Sequence, residues 1–152
     1  MTSDQIKALL EEGYEQVNEY CVFEKKIITA LVNREPNCSN THTFLVWSVK
    51  RLLESYKGIH SIREHDTKEA DISFVYKGED FALEIETGSL LGKRVQTERK
   101  IKQLSNNYGK RWMFVVSNKK LMPKYHKLGF STQRADFAKN LEKLINFDTQ
   151  IL

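Results

Sequence analysis

The chain has 152 residues, 40% of them hydrophobic and 29% charged, with 24 lysines and arginines against 20 acids. That length suits one compact domain able to bury roughly two-thirds of its unfolded surface. Its aromatic content of 11% argues against intrinsic disorder. No apolar run approaches the roughly 18 residues that span a bilayer, and residues 1–12 lack the apolar centre of a signal peptide. The expectation is a soluble, cytoplasmic protein with no membrane partner. Cys21 and Cys38 form no CxxC pair and read as two free thiols.

The net charge of +4 conceals a strong asymmetry. Residues 1–35 and residues 36–88 each carry a net −3, whereas residues 89–127 hold 11 basic side chains and Glu98 alone, a net +10. A segment this basic, spread over more than one element, suggests a polyanion-binding face.

In chain order, Ser3 reads as an N-cap, and Ile6, Leu9, Leu10, Tyr14 and Val17 recur at helical spacing. This predicts an amphipathic helix over residues 4–19. Residues 22–32 are apolar-periodic and read as helix or strand. The Pro/Asn/Ser-rich stretch 34–40 marks a boundary, separating a mainly helical arm (1–35) from a main domain (41–148). Thr41 can cap a helix over 42–56 with a broad apolar stripe. Strands follow at 59–64, 70–76 and 81–87, the last two joined by a hairpin turn at 77–80. A long helix ends at Gly109, with Leu91, Val95, Ile101, Leu104 and Tyr108 as its apolar face. Residues 111–117 form an apolar run that suits a buried, parallel strand. Short helices near 119–128 and 132–145 complete the chain. A helix between a β-meander and one more strand implies a crossover, hence an α/β fold with a mixed central sheet flanked by helices.

Strand periodicity brings out the most informative feature. In residues 81–87, Phe81, Leu83, Ile85 and Thr87 point one way and Ala82, Glu84 and Glu86 the other. Asp71 lies six residues before the turn, and Glu84 and Glu86 four and six after it, so three carboxylates gather at the hairpin end away from the turn. Clustered carboxylates repel unless protons or a cation compensate. Mg²⁺ takes one or two protein carboxylates with waters and phosphate oxygens, and such a metal can activate water for attack at phosphorus. The basic segment immediately downstream suits a phosphodiester substrate.

The succession of helix 42–56, Asp71 opening a strand, a short hairpin, Glu84-Ile85-Glu86 and a helix–strand pair resembles the PD-(D/E)XK nuclease superfamily. That superfamily includes restriction endonucleases and Holliday junction resolvases, and the resemblance covers residues 41–118. It implies a restriction endonuclease-like fold and a Mg²⁺- or Mn²⁺-dependent DNA endonuclease. Asp71, Glu84 and the backbone carbonyl of Ile85 would be the metal ligands. Where the superfamily usually has Lys, this chain has Glu86. Three consequences stay open: Glu86 as ligand or general base, a lysine displaced to the next helix (Lys93 or Lys100), or a site that binds DNA without cutting it. The chain is also similar to nuclease-like domains of plasmids and other mobile elements, which implies a translocase or helicase partner. Many members are dimers, and residues 1–35 are the candidate face for a homodimer.

Lys93, Gln96, Lys100, Gln103 and Asn107 share one face of the following helix, and Gln103 with Tyr108 resembles the Gln/Tyr pair of some members. Lys93, Arg94, Gln96, Arg99, Lys100, Gln103, Lys119 and Lys120 are the candidate DNA contacts. Glu54 reads as a surface acid. His42, His60, His65 and His126 lack zinc-ligand spacing, and His42 either caps its helix or faces the site. Trp47 and Trp112 read as core. Tyr76 and Tyr125 read as packing residues, with base stacking the alternative.

Overall fold

The computed structural model describes residues 1–33, 38–65 and 70–146. Most of the boundary at 34–40 therefore lies outside the described residues. The chain opens with α1 (Ser3–Glu11), where Thr2, not Ser3, is the N-cap and forms a reciprocal capping box with Gln5.

The helix predicted over 4–19 stops early. Glu12 is its C-cap and Gly13 follows at φ +99°, a left-handed conformation that glycine adopts at little cost. Beyond it the chain forms β1 (Glu15–Cys21), paired antiparallel with β2 (Lys26–Val32). The ambiguous stretch 22–32 thus resolves as turn and strand, and the arm is a helix plus a hairpin, not mainly helical. Val17 and Cys21 share a face of β1, a spacing of four that local periodicity over so few residues does not separate from a helix. Cys21 and Val32 pack with Phe44 of the next helix, so the hairpin docks on the main domain. Arg134 reinforces the junction by reaching Glu19 at 2.7 Å, and the Thr41 hydroxyl donates to the other Glu19 oxygen.

Five strands form the central sheet in the order β3 (Ile59–Glu64), β4 (Ile72–Tyr76), β5 (Glu79–Glu86), β6 (Trp112–Val116) and β7 (Ser131–Gln133). The first three are antiparallel and the last two join in parallel, so the sheet is mixed as expected. The β4–β5 turn is tighter than predicted. Lys77 and Gly78 both take positive φ, as a two-residue I′ turn requires, and Glu79 and Asp80 already pair with Tyr76 and Val75.

Helices cover both faces. On one, α2 (Asn40–Ser55) and α5 (Phe137–Ile145) bring Leu45, Val49, Leu53, Phe137 and Leu141 onto Ile72, Phe74, Leu83, Ile85 and Val115. On the other, Leu104 of α3 (Arg94–Tyr108) and Tyr125 of α4 (Met122–His126) pack against Ala82, Trp112, Phe114 and Val116. This α/β/α layering is the predicted fold class. Ser39, not Thr41, caps α2.

Three further expectations are corrected. Val95 is exposed, and Thr97 takes the buried position on α3, its hydroxyl donating to the carbonyls of Leu90 and Lys93. Trp47 is 42% exposed instead of core, while Trp112 is buried as predicted. The helix predicted from 132 begins at Phe137, because residues 131–133 add β7 to the edge of β6. Among the described residues no helix is long and apolar enough to cross a membrane.

Candidate active site

The carboxylates meet where β5 has an antiparallel neighbour on one side and a parallel one on the other. Ile72 pairs with Leu83, so Asp71, immediately before β4, stands opposite Glu84. The backbone closes the contact from both directions. Asp71 N–H points at Glu84 Oε2 at 3.3 Å, and Ile85 N–H donates to Asp71 Oδ2 at 2.7 Å. Even-numbered residues of β5 turn their main chain to β6, as in the 2.9 Å bond from Ser117 N–H to the Glu86 carbonyl. The main chain of Ile85 therefore faces the Asp71 side.

Each acid has a partner from a different helix. The His42 Nε2, in the first turn of α2, lies 3.4 Å from Asp71 Oδ1. The Lys100 Nζ of α3 lies 3.4 Å from Glu84 Oε1, both side chains being largely buried. The Tyr125 hydroxyl of α4 donates to Glu86 Oε2 at 3.0 Å. Glu84 and Glu86 point toward the α3/α4 layer, which is why those two helices supply their partners.

Burial dominates the electrostatics. Glu84 is held far above the usual carboxylate range by desolvation and by the Asp71 charge, which together outweigh the attraction of Lys100. Glu86 is pushed up to about 7, first by burial and then by Asp71, against the opposing pull of Tyr125, Lys100 and His42. The hydrogen bond to Asp71 raises His42 above its ordinary value despite burial. Burial beside Glu86 also pushes the Tyr125 hydroxyl up, so it stays a donor.

Asp71, Glu84, Ile85, Glu86, Gln96 and Lys100 all line one cavity of about 540 Å³, with Cys38, Ser39, His42, Ser89 and Leu90 on its other walls. A shallow trough of about 600 Å³ continues along α3, lined by Gln96, Arg99, Lys100, Lys102, Gln103, Asn106 and Asn107. Lys93 is exposed at the N-terminal end of α3 and Arg94 pairs with Glu98 on the outer surface, both outside that cavity. Lys119 and Lys120 are exposed on a short 3-10 turn after β6. Tyr108 packs beneath α3 instead of facing the trough. Glu54 is exposed as predicted.

Two side chains that meet the acids escaped the sequence reading in part. His42 read either as a cap of its helix or as facing the site, and its place in the first turn of α2 is compatible with both. Tyr125 read as packing residue or base stacker, and no local signal links it to an acid 39 residues away.

Two carboxylates and a carbonyl are hard oxygen donors of the kind Mg²⁺ takes with water. Among the described residues no three His, Cys, Asp or Glu side chains converge as a metal-holding group. The donor set thus fits a cation that keeps much of its water and does not fit an all-protein cage. Comparison with family models, curated proteins and solved structures finds no match to this chain.

Proposed function

We propose that the chain is a divalent-metal-dependent DNA endonuclease of the PD-(D/E)XK type. The observation that carries this reading is the pairing of Asp71 with Glu84 across β4–β5, with the Lys100 ammonium 3.4 Å from Glu84. The lysine that usually follows the second acid in the strand is here supplied from α3. Asp71, Glu84 and the Ile85 carbonyl would hold Mg²⁺ or Mn²⁺, which when bound supplies a Lewis acid for the scissile phosphate and an acidified water.

The side chains divide the remaining work. Lys100 offsets negative charge at Glu84 and faces the space where phosphate oxygens would sit. Glu86, poised near neutrality, can accept a proton and pass it on. His42 orients Asp71 through its Nε2 contact. The trough on α3 offers three cations, Arg99, Lys100 and Lys102, flanked by amides, which suits a nucleic acid backbone running away from the site.

The test is nicking of supercoiled plasmid with Mg²⁺ or Mn²⁺ by the full chain and by Asp71→Asn. Cleavage that needs metal and vanishes in the variant supports the reading. Plasmid and single-stranded circular DNA both left intact under either metal, with an intact fold by circular dichroism, overturn it.

A second reading, a DNA-binding or docking module that does not cut, draws on one observation. Each of the three acids is already engaged by a proton-bearing side chain, and Glu86 stands where the superfamily keeps lysine. Salt-sensitive DNA binding without metal uptake in calorimetry would favour it.

A further inference from the structure

We propose that a second cavity, on the far side of the His42–Asp71 pair, is a subsite for one unstacked nucleobase. The substrate of the neighbouring site would then be single-stranded or locally unpaired DNA. This inference rests on the nuclease reading and specifies its substrate class.

The cavity measures about 210 Å³ and shares Cys38, His42 and Asp71 with the carboxylate cavity. Its remaining walls are Thr43, Val46, Trp47, Glu64 and His65. The roughly 300–1,000 Å³ typical of pockets that enclose a whole ligand are larger, so the space suits one ring system. A phosphate at the carboxylates and a ring behind His42–Asp71 would be neighbouring groups of one strand.

The wall chemistry matches a base. Trp47 sits within an apolar run, yet its side chain is 42% exposed. It is steadied by Phe44, with ring centroids 5.5 Å apart, and by the Arg51 guanidinium 5.4 Å from its ring. An exposed indole held in place is a stacking platform open to any base. Polar groups stand around it. His65 Nε2 lies 2.7 Å from Ser73 Oγ, which fixes the ring, and the Thr43 hydroxyl and Glu64 carboxylate add further hydrogen-bonding atoms. Lys50 lies 3.8 Å from Glu64 and offsets its charge. In an intact duplex a base adjoining the scissile phosphate is stacked and paired, so its face is closed to Trp47. Filling the cavity therefore requires an unpaired or extruded nucleotide.

The two tryptophans make this testable. Trp112 is 7% exposed, so fluorescence changes on ligand binding report mainly on Trp47. The full chain with Ca²⁺ in place of Mg²⁺ would be titrated with a 12-nucleotide single strand and with the blunt duplex of the same sequence, affinities being read by anisotropy and cleavage being scored in parallel with Mg²⁺. The expected result is tighter binding and indole quenching by the single strand. Trp47→Ala should lower the single-strand to duplex affinity ratio at least fivefold, on the order of one stacked base, and Trp47→Phe should restore most of it. Duplex binding and cleavage with a ratio unmoved by Trp47→Ala overturn the subsite alone. Absence of binding to either form overturns the nuclease reading and the subsite with it.

Discussion

Tyr125 and Glu86, 39 residues apart in sequence, meet in a 3.0 Å hydrogen bond in which the buried phenol donates to Glu86 Oε2. The phenol oxygen is also approached by the backbone of Gly88 and Leu90, so α4 steadies both the acid and the loop that follows it. Gly88 takes φ +103°, which allows the chain to turn immediately after the acids.

Tyr125→Phe keeps the ring and removes the donor, so it should cost about 1 kcal/mol of stability while slowing plasmid nicking roughly ten- to a hundredfold. If Tyr125 acts only through Glu86, adding the substitution to Glu86→Gln should bring little further loss. Additive losses in the double variant would contradict that role.

Lys100→Met separates catalysis from stability. A methionine of similar length can fill the buried space of the lysine stem, and Glu84, held far above the usual carboxylate range, stays neutral once the cation is gone, so in metal-free buffer the unfolding free energy should change by no more than about 1 kcal/mol. Nicking should drop at least roughly a hundredfold, because the positive charge beside Glu84 is lost. A variant that cuts at the wild-type rate would remove Lys100 from the site's chemistry.

Stability should fall as pH rises in metal-free buffer. Glu86 has a folded value of about 7 against an ordinary 4.5, so between these pH values the folded state binds more protons than the unfolded. Glu84 and His42 are shifted in the same direction and extend the decline upward. Glu86 alone accounts for a loss on the order of 3 kcal/mol between pH 5 and 8. Urea midpoints across that range would show it, and Glu86→Gln should flatten the slope. A midpoint that climbs with pH would refute the assignment.

Gly129 is required by packing. A β-carbon there would lie 2.7 Å from Cη2 of Trp112, a rigid ring already fixed edge-on against Phe114. Gly129→Ala should therefore destabilise by about 1–3 kcal/mol, and Trp112→Phe in the same chain should recover part of that loss. Thermal unfolding of the three variants decides it.

Fold class and the central acids were legible because their signals are local. Alternation along residues 81–87 separates Leu83 and Ile85 from Glu84 and Glu86 within one strand. The hairpin was legible but its register was not: the two-residue turn at Lys77–Gly78, shorter than the four residues expected, is what carries Asp71 opposite Glu84. The buried run at 112–116 announces a strand covered on both faces.

What failed was decided by distant partners. Residues 15–21 become strand because 26–32 pair with them, and the hairpin then finds Phe44 to bury Cys21 and Val32. Residues 131–133 become strand only beside β6. The same holds for Trp47, which sits in an apolar run yet emerges on the surface beside the site. Composition and periodicity determine which side chains need burial and which local conformations suit them. Tertiary packing alone decided that His42, Lys100 and Tyr125, from three helices, converge on three acids, since each contact depends on how a helix lies across the sheet.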